Sequence, residues 1–154
     1  MLVIVYYKGG RYFVPTIVQT QAGLFWDRSP VRVVERQNRV AFACAIADAF
    51  SCGNVRVPNP SVDEFKNPVV STAAGAKSWS AFMRGATSWT VSTDSGEIRV
   101  ALNVEEKRGV VPSEEFVSIP GADGAEGVAN EIVRSLLEKE ARKGLRSKPR
   151  AGRT

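Results

Sequence analysis

The chain contains no histidine, and it has only two cysteines and two methionines among its 154 residues. Histidine is the commonest general base near neutral pH, and it takes part in most nucleophilic triads and zinc sites. Its absence excludes a Ser–His or Cys–His nucleophile and the usual metal-ligand sets. The sequence therefore predicts a protein that is not an enzyme and that binds no cofactor or metal.

The two cysteines do not form a redox or zinc motif. Cys44 and Cys52 are eight residues apart in a predicted helix, which places them about 12 Å apart along the axis, too far for a disulfide. No C-x-x-C spacing is present. We expect both to be small buried apolar side chains in a reducing compartment.

Long hydrophobic runs are also missing. No apolar stretch approaches the roughly 18 to 20 residues that a membrane span needs. The apolar opening, residues 1–7, has no basic lead-in and is followed by Lys8-Gly9-Gly10, so it is typical of a first strand and not of a signal peptide. These features predict a cytoplasmic protein that does not bind membranes.

The net charge of +5 is confined to one end of the chain. Residues 1–137 contain fourteen basic and fourteen acidic side chains, whereas residues 138–154 contain seven basic and two acidic ones. We interpret residues 1–141 as one domain and residues 142–154 as a disordered basic tail. The tail is either an arm that binds nucleic acid in a salt-sensitive way or a solvated terminus; it has no aromatic side chain to stack on bases.

Alternating β-branched and aromatic residues predict an antiparallel sheet. Residues 2–7 and 12–19 form one predicted hairpin, and residues 89–93 and 97–104 form the clearest one, because Asp94-Ser95-Gly96 supplies its turn. Pro15 predicts a bulge, an edge or a break in the second strand. Further short strands are predicted at residues 24–26, 31–35, 69–71 and 116–119.

Two longer segments have helical periodicity. Asn38 is a candidate N-cap for an alanine-rich helix that ends at Gly53. Its predicted apolar positions are Val40, Ala41, Ala43, Cys44, Ala47, Ala49 and Phe50. An amphipathic helix over residues 125–141 carries Val128, Ile132, Val133, Leu136 and Leu137 on one stripe. The predicted fold class is α+β, with a sheet of about five to seven strands packed by these two helices.

Two kinds of residue are candidates for contact with a partner. Trp79, Phe82 and Met83 have the spacing of one short helix face, which is either core or an interface, and Arg84 follows them. The acidic doublets are Asp63-Glu64, Glu105-Glu106 and Glu114-Glu115. Because adjacent side chains point in different directions, no doublet is by itself an acid–base pair.

Several motifs together carry a family resemblance. They are V-I-V-Y-Y-K-G-G-R-Y at 3–12, V-R-V-P-N-P at 55–60, P-V-V at 68–70 and G-A-K-S-W-S-A-F-M-R-G-A-T-S-W at 75–89. In these motifs the chain resembles the immunity proteins of bacterial contact-dependent growth inhibition, which belong to polymorphic toxin systems. The resemblance covers most of residues 1–137 and excludes the tail.

The resemblance implies a cytoplasmic protein that binds the C-terminal toxin domain of a matching effector, commonly a nuclease, and neutralises it stoichiometrically. Such inhibitors often present acidic residues to a basic cleft. The expected partner-binding residues are Asp63, Glu64, Trp79, Arg84, Glu105, Glu106, Glu114 and Glu115. The alternative is a small nucleic-acid-binding or regulatory protein that uses the basic tail.

Overall fold

The computed structural model describes residues 1–106 and 109–146, and it has the predicted α+β architecture. The strands are β1 Leu2–Lys8, β2 Arg11–Thr20, β3 Phe25–Glu35, β4 Arg56–Val57, β5 Thr87–Asp94, β6 Glu97–Glu106, β7 Gly109–Pro112 and β8 Val117–Pro120. The helices are α1 Arg39–Cys52, α2 Val62–Lys66, α3 Val69–Ala73, α4 Trp79–Met83 and α5 Gly124–Arg146, with a 3-10 turn at Gly121–Asp123.

The strands form one sheet in the order β3-β2-β1-β5-β6-β7, and β8 also pairs with β6. All these pairings are antiparallel, and only the two-residue strand β4 pairs parallel, with β2. Both predicted hairpins are confirmed, β1 with β2 and β5 with β6. Within the described residues the sheet has eight strands, six of them in the main order, and the sequence predicted about five to seven.

Strand β3 corrects the prediction of two separate strands with a break at Asp27–Pro30. It runs without interruption beside β2, and the register shifts between Pro15 and Thr16. Pro15 pairs with Val31 and Thr16 with Arg28, so the extra residues of β3 are absorbed in a bulge. A proline lacks the N–H that a regular ladder needs, and the bulge is the place where Pro15 and Pro30 are tolerated.

Three other local predictions also need correction. Residues 69–71 belong to helix α3 and not to a strand, and this helix buries Val70 against the sheet. The expected loop over residues 55–68 contains β4 and α2. Helix α5 includes residues 142–146, which the sequence assigned to the tail. The remainder of the predicted tail, residues 147–154, lies outside the described residues.

Helices α1 and α5 pack on one face of the sheet and form the larger core. Asn38 caps α1 as predicted, since its side chain accepts a hydrogen bond from the Ala41 amide. The predicted buried positions were wrong in part, because α1 buries Phe42, Ala45, Ile46 and Ala49. Val40 is 76% exposed, and Cys44 and Cys52 are both exposed free thiols. The Phe42 ring stacks on Tyr12 with centroids 3.9 Å apart.

The opposite face carries a smaller core, which is covered by α3 and α4. It is built around Tyr6, Phe13, Val70 and Phe82, and Trp79 packs against it half-buried. Trp89 lies in the larger core on the first face, where its indole Nε1 donates to Ser135 Oγ at 3.0 Å. The segment over residues 77–89 thus closes two different cores.

Asn54 holds the sheet together where β1 and β2 separate. These two strands pair only through Tyr6–Lys8 and Arg11–Phe13. Beyond that point the Asn54 side chain accepts from the Leu2 amide at 2.7 Å and donates to the Leu2 and Ile17 carbonyls at 2.9 and 3.0 Å.

Among the described residues, no helix combines the length and the apolar character that crossing a membrane would require.

Candidate partner-binding surface

The structure separates the predicted partner-binding residues. Asp63 and Glu64 lie on α2 beside the β3 edge, and Trp79 lies on α4, where it packs against Tyr6 of β1. The other four carboxylates are at the β6–β7 edge, with Glu105 and Glu106 at the end of β6 and Glu114 and Glu115 in the β7–β8 connection. The sequence does not show which acidic doublet contacts a partner, because each doublet is a pair of adjacent carboxylates beside a turn.

Helix α2 positions the first doublet by ordinary capping. Ser61 is the N-cap, and its hydroxyl accepts from the Glu64 amide at 3.4 Å. Carboxylates in a first turn also complement the positive end of the helix dipole. Glu64 Oε2 lies 3.5 Å from Arg28 Nη2 on β3, whereas Asp63 is exposed.

A cleft opens between α2, α4 and the strands β1 and β3, and we call it the aromatic cleft. Its volume is about 340 Å³. It is lined by Ile4, Tyr6, Phe25, Trp26, Asp27, Phe65, Pro68 and Trp79. Five of these eight side chains are aromatic and one is a carboxylate, which is a composition suited to holding a ligand that is both apolar and positively charged.

The rings of the aromatic cleft are held edge to face. Tyr6 and Trp79 have centroids 5.6 Å apart at an interplanar angle of 88°, and Trp26 and Phe65 have centroids 4.7 Å apart at 65°. Such contacts add to the burial energy of each ring. Phe25 and Phe65 at the rim are 45% and 56% exposed. Exposed aromatic side chains are enriched in protein interfaces.

Asp27 is the one carboxylate inside the aromatic cleft. The Tyr6 hydroxyl donates to Asp27 Oδ2 at 2.8 Å. Burial raises the pKa of the Asp27 carboxyl to about 6, and the hydrogen bond from Tyr6 acts in the opposite direction. Burial also raises the pKa of Tyr6 well above its usual value of 10, so its hydroxyl remains a donor. No cationic side chain of the described residues pairs with Asp27.

Sequence reasoning missed Tyr6 and Asp27. Tyr6 was taken as part of an ordinary strand, and Asp27 was taken as part of a break between strands. The available signal was the apolar context of Phe25-Trp26-Asp27, since a carboxylate directly after two aromatic residues in a strand is unusual. That signal does not identify Tyr6 as the donor, because the two residues are 21 positions apart.

A second groove lies between α5 and strands β6 and β8, with a volume of about 450 Å³. It includes Glu115 but not Glu105, Glu106 or Glu114. Its arginines are paired with carboxylates: Arg134 pairs with Glu131 at 2.6 Å and with Glu138 at 2.8 Å, and Arg142 pairs with Glu138 at 2.7 Å. The groove therefore combines charges of both signs, whereas the aromatic cleft combines aromatic rings with one carboxylate.

The last of the predicted site residues is Arg84. Arg84 is exposed directly after α4 and does not line the aromatic cleft; its amide closes the helix by donating to the Ser80 carbonyl at 3.1 Å. Lys139, in the second groove, donates to Thr87 Oγ1 at 3.0 Å, and burial lowers its pKa. Residues 1–106 and 109–146 contain no group of three or more Cys, Asp or Glu side chains arranged to hold a metal ion.

The sequence matches no protein-family model and no curated protein. Among solved structures, the fold is similar to that of a protein of unknown function from Neisseria meningitidis, with a TM-score of 0.61 and 10% sequence identity. The match covers 87% of this chain and 93% of the other. At this identity the likeness shows a shared fold and carries no information about function.

Proposed function

We propose that this protein is a cytoplasmic immunity protein, which binds a cognate toxin domain stoichiometrically and blocks it without catalysing a reaction. The proposal rests on the resemblance of residues 3–12, 55–60 and 75–89 to contact-dependent growth inhibition immunity proteins. The toxin is proposed to be a nuclease, as is common in such systems.

One structural observation supports the proposal most directly. Apolar side chains are exposed next to carboxylates on the edge formed by α2 and the start of β3. Val62, Phe25 and Phe65 are 68%, 45% and 56% exposed, and Asp63 and Glu64 lie on the same short helix. Aromatic anchors supply the affinity of many interfaces, and nearby charges speed the encounter and select the partner.

The charge distribution is consistent with a basic partner. The cleft that a nuclease uses for nucleic acid is positively charged, and an inhibitor that covers it needs local negative charge. The chain as a whole is basic, so the acidic contact must be local. The α2 edge provides such a local surface: Asp27 and Glu64 line one pocket with Arg28, and α2 also carries Asp63 and Lys66.

The test is co-expression and pull-down with proteins encoded beside this one, beginning with the C-terminal part of a large secreted neighbour. We expect a tight 1:1 complex in which the activity of the toxin domain is abolished. If no neighbouring toxin domain binds or is inhibited, the proposal is wrong.

The interface is then tested with two variants that carry the same change in charge. Asp63→Lys with Glu64→Lys reverses the α2 doublet, and Glu105→Lys with Glu106→Lys reverses the β6 doublet at the other edge. We expect the first pair to weaken the complex at least tenfold and the second pair to weaken it less than threefold. The reverse result would move the interface to the β6–β7 edge.

The nucleic-acid alternative is distinguished by truncation after Arg146. This deletion removes Lys148, Arg150 and Arg153 and keeps the whole of α5. The immunity proposal predicts that protection against the toxin is retained. The alternative predicts a salt-dependent mobility shift with nucleic acid that the truncation abolishes.

A further inference from the structure

We infer that the aromatic cleft is a receptor for one arginine side chain of the partner, with Asp27 as the counter-ion and Tyr6, Trp26 and Trp79 as the surrounding rings. That the arginine comes from a toxin domain rests on the proposed function. The recognition chemistry rests only on the cleft itself.

The first argument is that Asp27 lacks a positive partner. The only hydrogen bond that its carboxylate receives from the described residues is the one that Tyr6 donates to Oδ2. A carboxylate has about four acceptor positions, so most of the acceptor capacity of Asp27 is unused. A carboxylate that is partly desolvated without a cation destabilises the folded protein, and a cation brought by a partner would relieve that penalty.

The neighbouring charges do not fill this role. Arg28, the next residue on β3, directs its guanidinium to Glu64 on α2. Arg28 and Glu64 are the two charged side chains that line the adjoining pocket besides Asp27, and they pair with each other. A cation from outside is therefore the missing group at Asp27.

The second argument is the chemistry of the walls. Aromatic faces attract cations, and a guanidinium stacks on them while it donates in a planar fork to a carboxylate. A lysine ammonium is more strongly hydrated and lacks that fork. An apolar side chain would leave Asp27 without a partner, and a phosphate or carboxylate would be repelled by it. An arginine satisfies both the rings and the carboxylate.

The third argument is that the cleft is built before any partner arrives. The Tyr6 ring is 6% exposed and is held by edge contacts with Phe82 and Trp79, at 5.7 and 5.6 Å between centroids. Lys8 Nζ donates to the Ala81 and Phe82 carbonyls at 2.6 and 2.7 Å, which ties the end of α4 to β1. A preorganised pocket binds more tightly than one that must order on binding.

The experiment is an NMR titration of the free protein with N-acetyl-arginine methylamide at pH 7.5. The chain has three tryptophans, whose indole N–H signals are separate reporters. Trp26 and Trp79 line the cleft, and Trp89 in the opposite core is an internal control. We expect saturable shifts at Trp26 and Trp79, with a dissociation constant in the millimolar range, and no shift at Trp89.

Two comparisons give the test its specificity. The citrulline analogue has nearly the same shape without the charge, and the lysine analogue has the charge without the planar fork. We expect the citrulline analogue not to saturate and the lysine analogue to bind at least threefold more weakly than arginine. Equal binding by the citrulline analogue would overturn the inference.

The matched variants are Asp27→Asn and Asp48→Asn. The first removes the charge inside the cleft, and the second removes an exposed charge on α1, on the other face of the sheet. We expect Asp27→Asn to weaken arginine binding at least fivefold and Asp48→Asn to change it less than twofold. Should Asp27→Asn fail to fold, the wild type titrated at pH 5 provides the same comparison, because Asp27 is then mostly protonated. Tyr6, Arg28 and Glu64 are the other ionisable groups facing this site.

The outcomes separate this inference from the proposed function. Arginine binding that depends on Asp27, without any toxin complex, supports the receptor and contradicts the immunity proposal. A toxin complex of unchanged affinity in Asp27→Asn, together with no saturable shift at Trp26 and Trp79, contradicts the receptor and leaves the immunity proposal intact.

Discussion

The Tyr6 hydroxyl donates a 2.8 Å hydrogen bond to Asp27 Oδ2, and this contact joins β1 to β3 across the intervening strand β2. It brings a half-buried carboxylate into the aromatic cleft. Burial on this face of the sheet raises the pKa of Asp27 to about 6. The pair therefore links the stability of the sheet to the site proposed for a cationic partner.

Asp27 is predicted to reduce the stability of the free protein at neutral pH. Its pKa is about 6 in the folded state and about 3.9 in an unfolded chain. The folded state binds the Asp27 proton more tightly than the unfolded state does. The protonated carboxyl therefore contributes its full stabilisation below about pH 4, and this contribution is lost as the pH rises through about 6. We expect Asp27→Asn to raise the free energy of unfolding at pH 7.5 by about 1 to 3 kcal/mol.

Urea unfolding of both proteins at pH 7.5 and pH 4 checks this expectation. The difference should shrink toward pH 4, where wild-type Asp27 is largely protonated, and Asp63→Asn should behave like the wild type at both pH values. A lower stability of Asp27→Asn at pH 7.5 would contradict the prediction. A residue that serves binding often lowers the stability of the fold, and a destabilising carboxylate at position 27 fits that pattern.

Asn54 is predicted to be a structural residue whose loss opens the sheet. Asn54→Ala removes three hydrogen bonds and leaves the Leu2 amide and the Leu2 and Ile17 carbonyls without these partners. We expect a loss of about 2 to 3 kcal/mol in the free energy of unfolding. Asn59→Ala is the matched control, because the Asn59 side chain accepts one exposed hydrogen bond from the Ala22 amide. An equal effect of the two variants would refute the assignment.

The buried face of α1 is tested by a pair of truncations. Phe42 is fully buried and stacks on Tyr12, whereas Val40 is 76% exposed. Phe42→Ala should lower the free energy of unfolding by about 3 to 5 kcal/mol, and Val40→Ala should change it by less than about 0.5 kcal/mol. Chemical denaturation measures both, and comparable losses would mean that the helix faces the sheet differently.

Both thiols are predicted to react in the native protein. Cys44 and Cys52 are exposed and make no disulfide, although the sequence led us to expect them buried. Titration with Ellman's reagent under native conditions should therefore release two equivalents of chromophore per chain. The single variants Cys44→Ser and Cys52→Ser should each release one equivalent of chromophore per chain. Reaction only after denaturant is added would show that the side chains are covered.

Local sequence signals determined much of the fold. Gly9-Gly10 and Ser95-Gly96 predicted both hairpins, and Asn38 predicted the start of α1. The periodicity after Ala125 predicted the burial of Val128, Ile132 and Leu136 in α5, but it was wrong for Leu137, which is 54% exposed. These features depend on residues within one or two turns of each other, where backbone propensity and capping decide the outcome. The α+β class follows from them.

Only the tertiary structure decided which acidic residues share a surface with the tryptophans. Trp79 and Trp89 are ten residues apart and pack on opposite faces of the sheet. The aromatic cleft combines side chains from β1, β3, α2 and α4, which no local pattern relates. Local patterns predicted the two hairpins and the cap of α1, but they missed β4, α2 and α3. The pairing of Tyr6 with Asp27 depended on strand order and on the bulge at Pro15, because long-range contacts form only when the whole sheet is assembled.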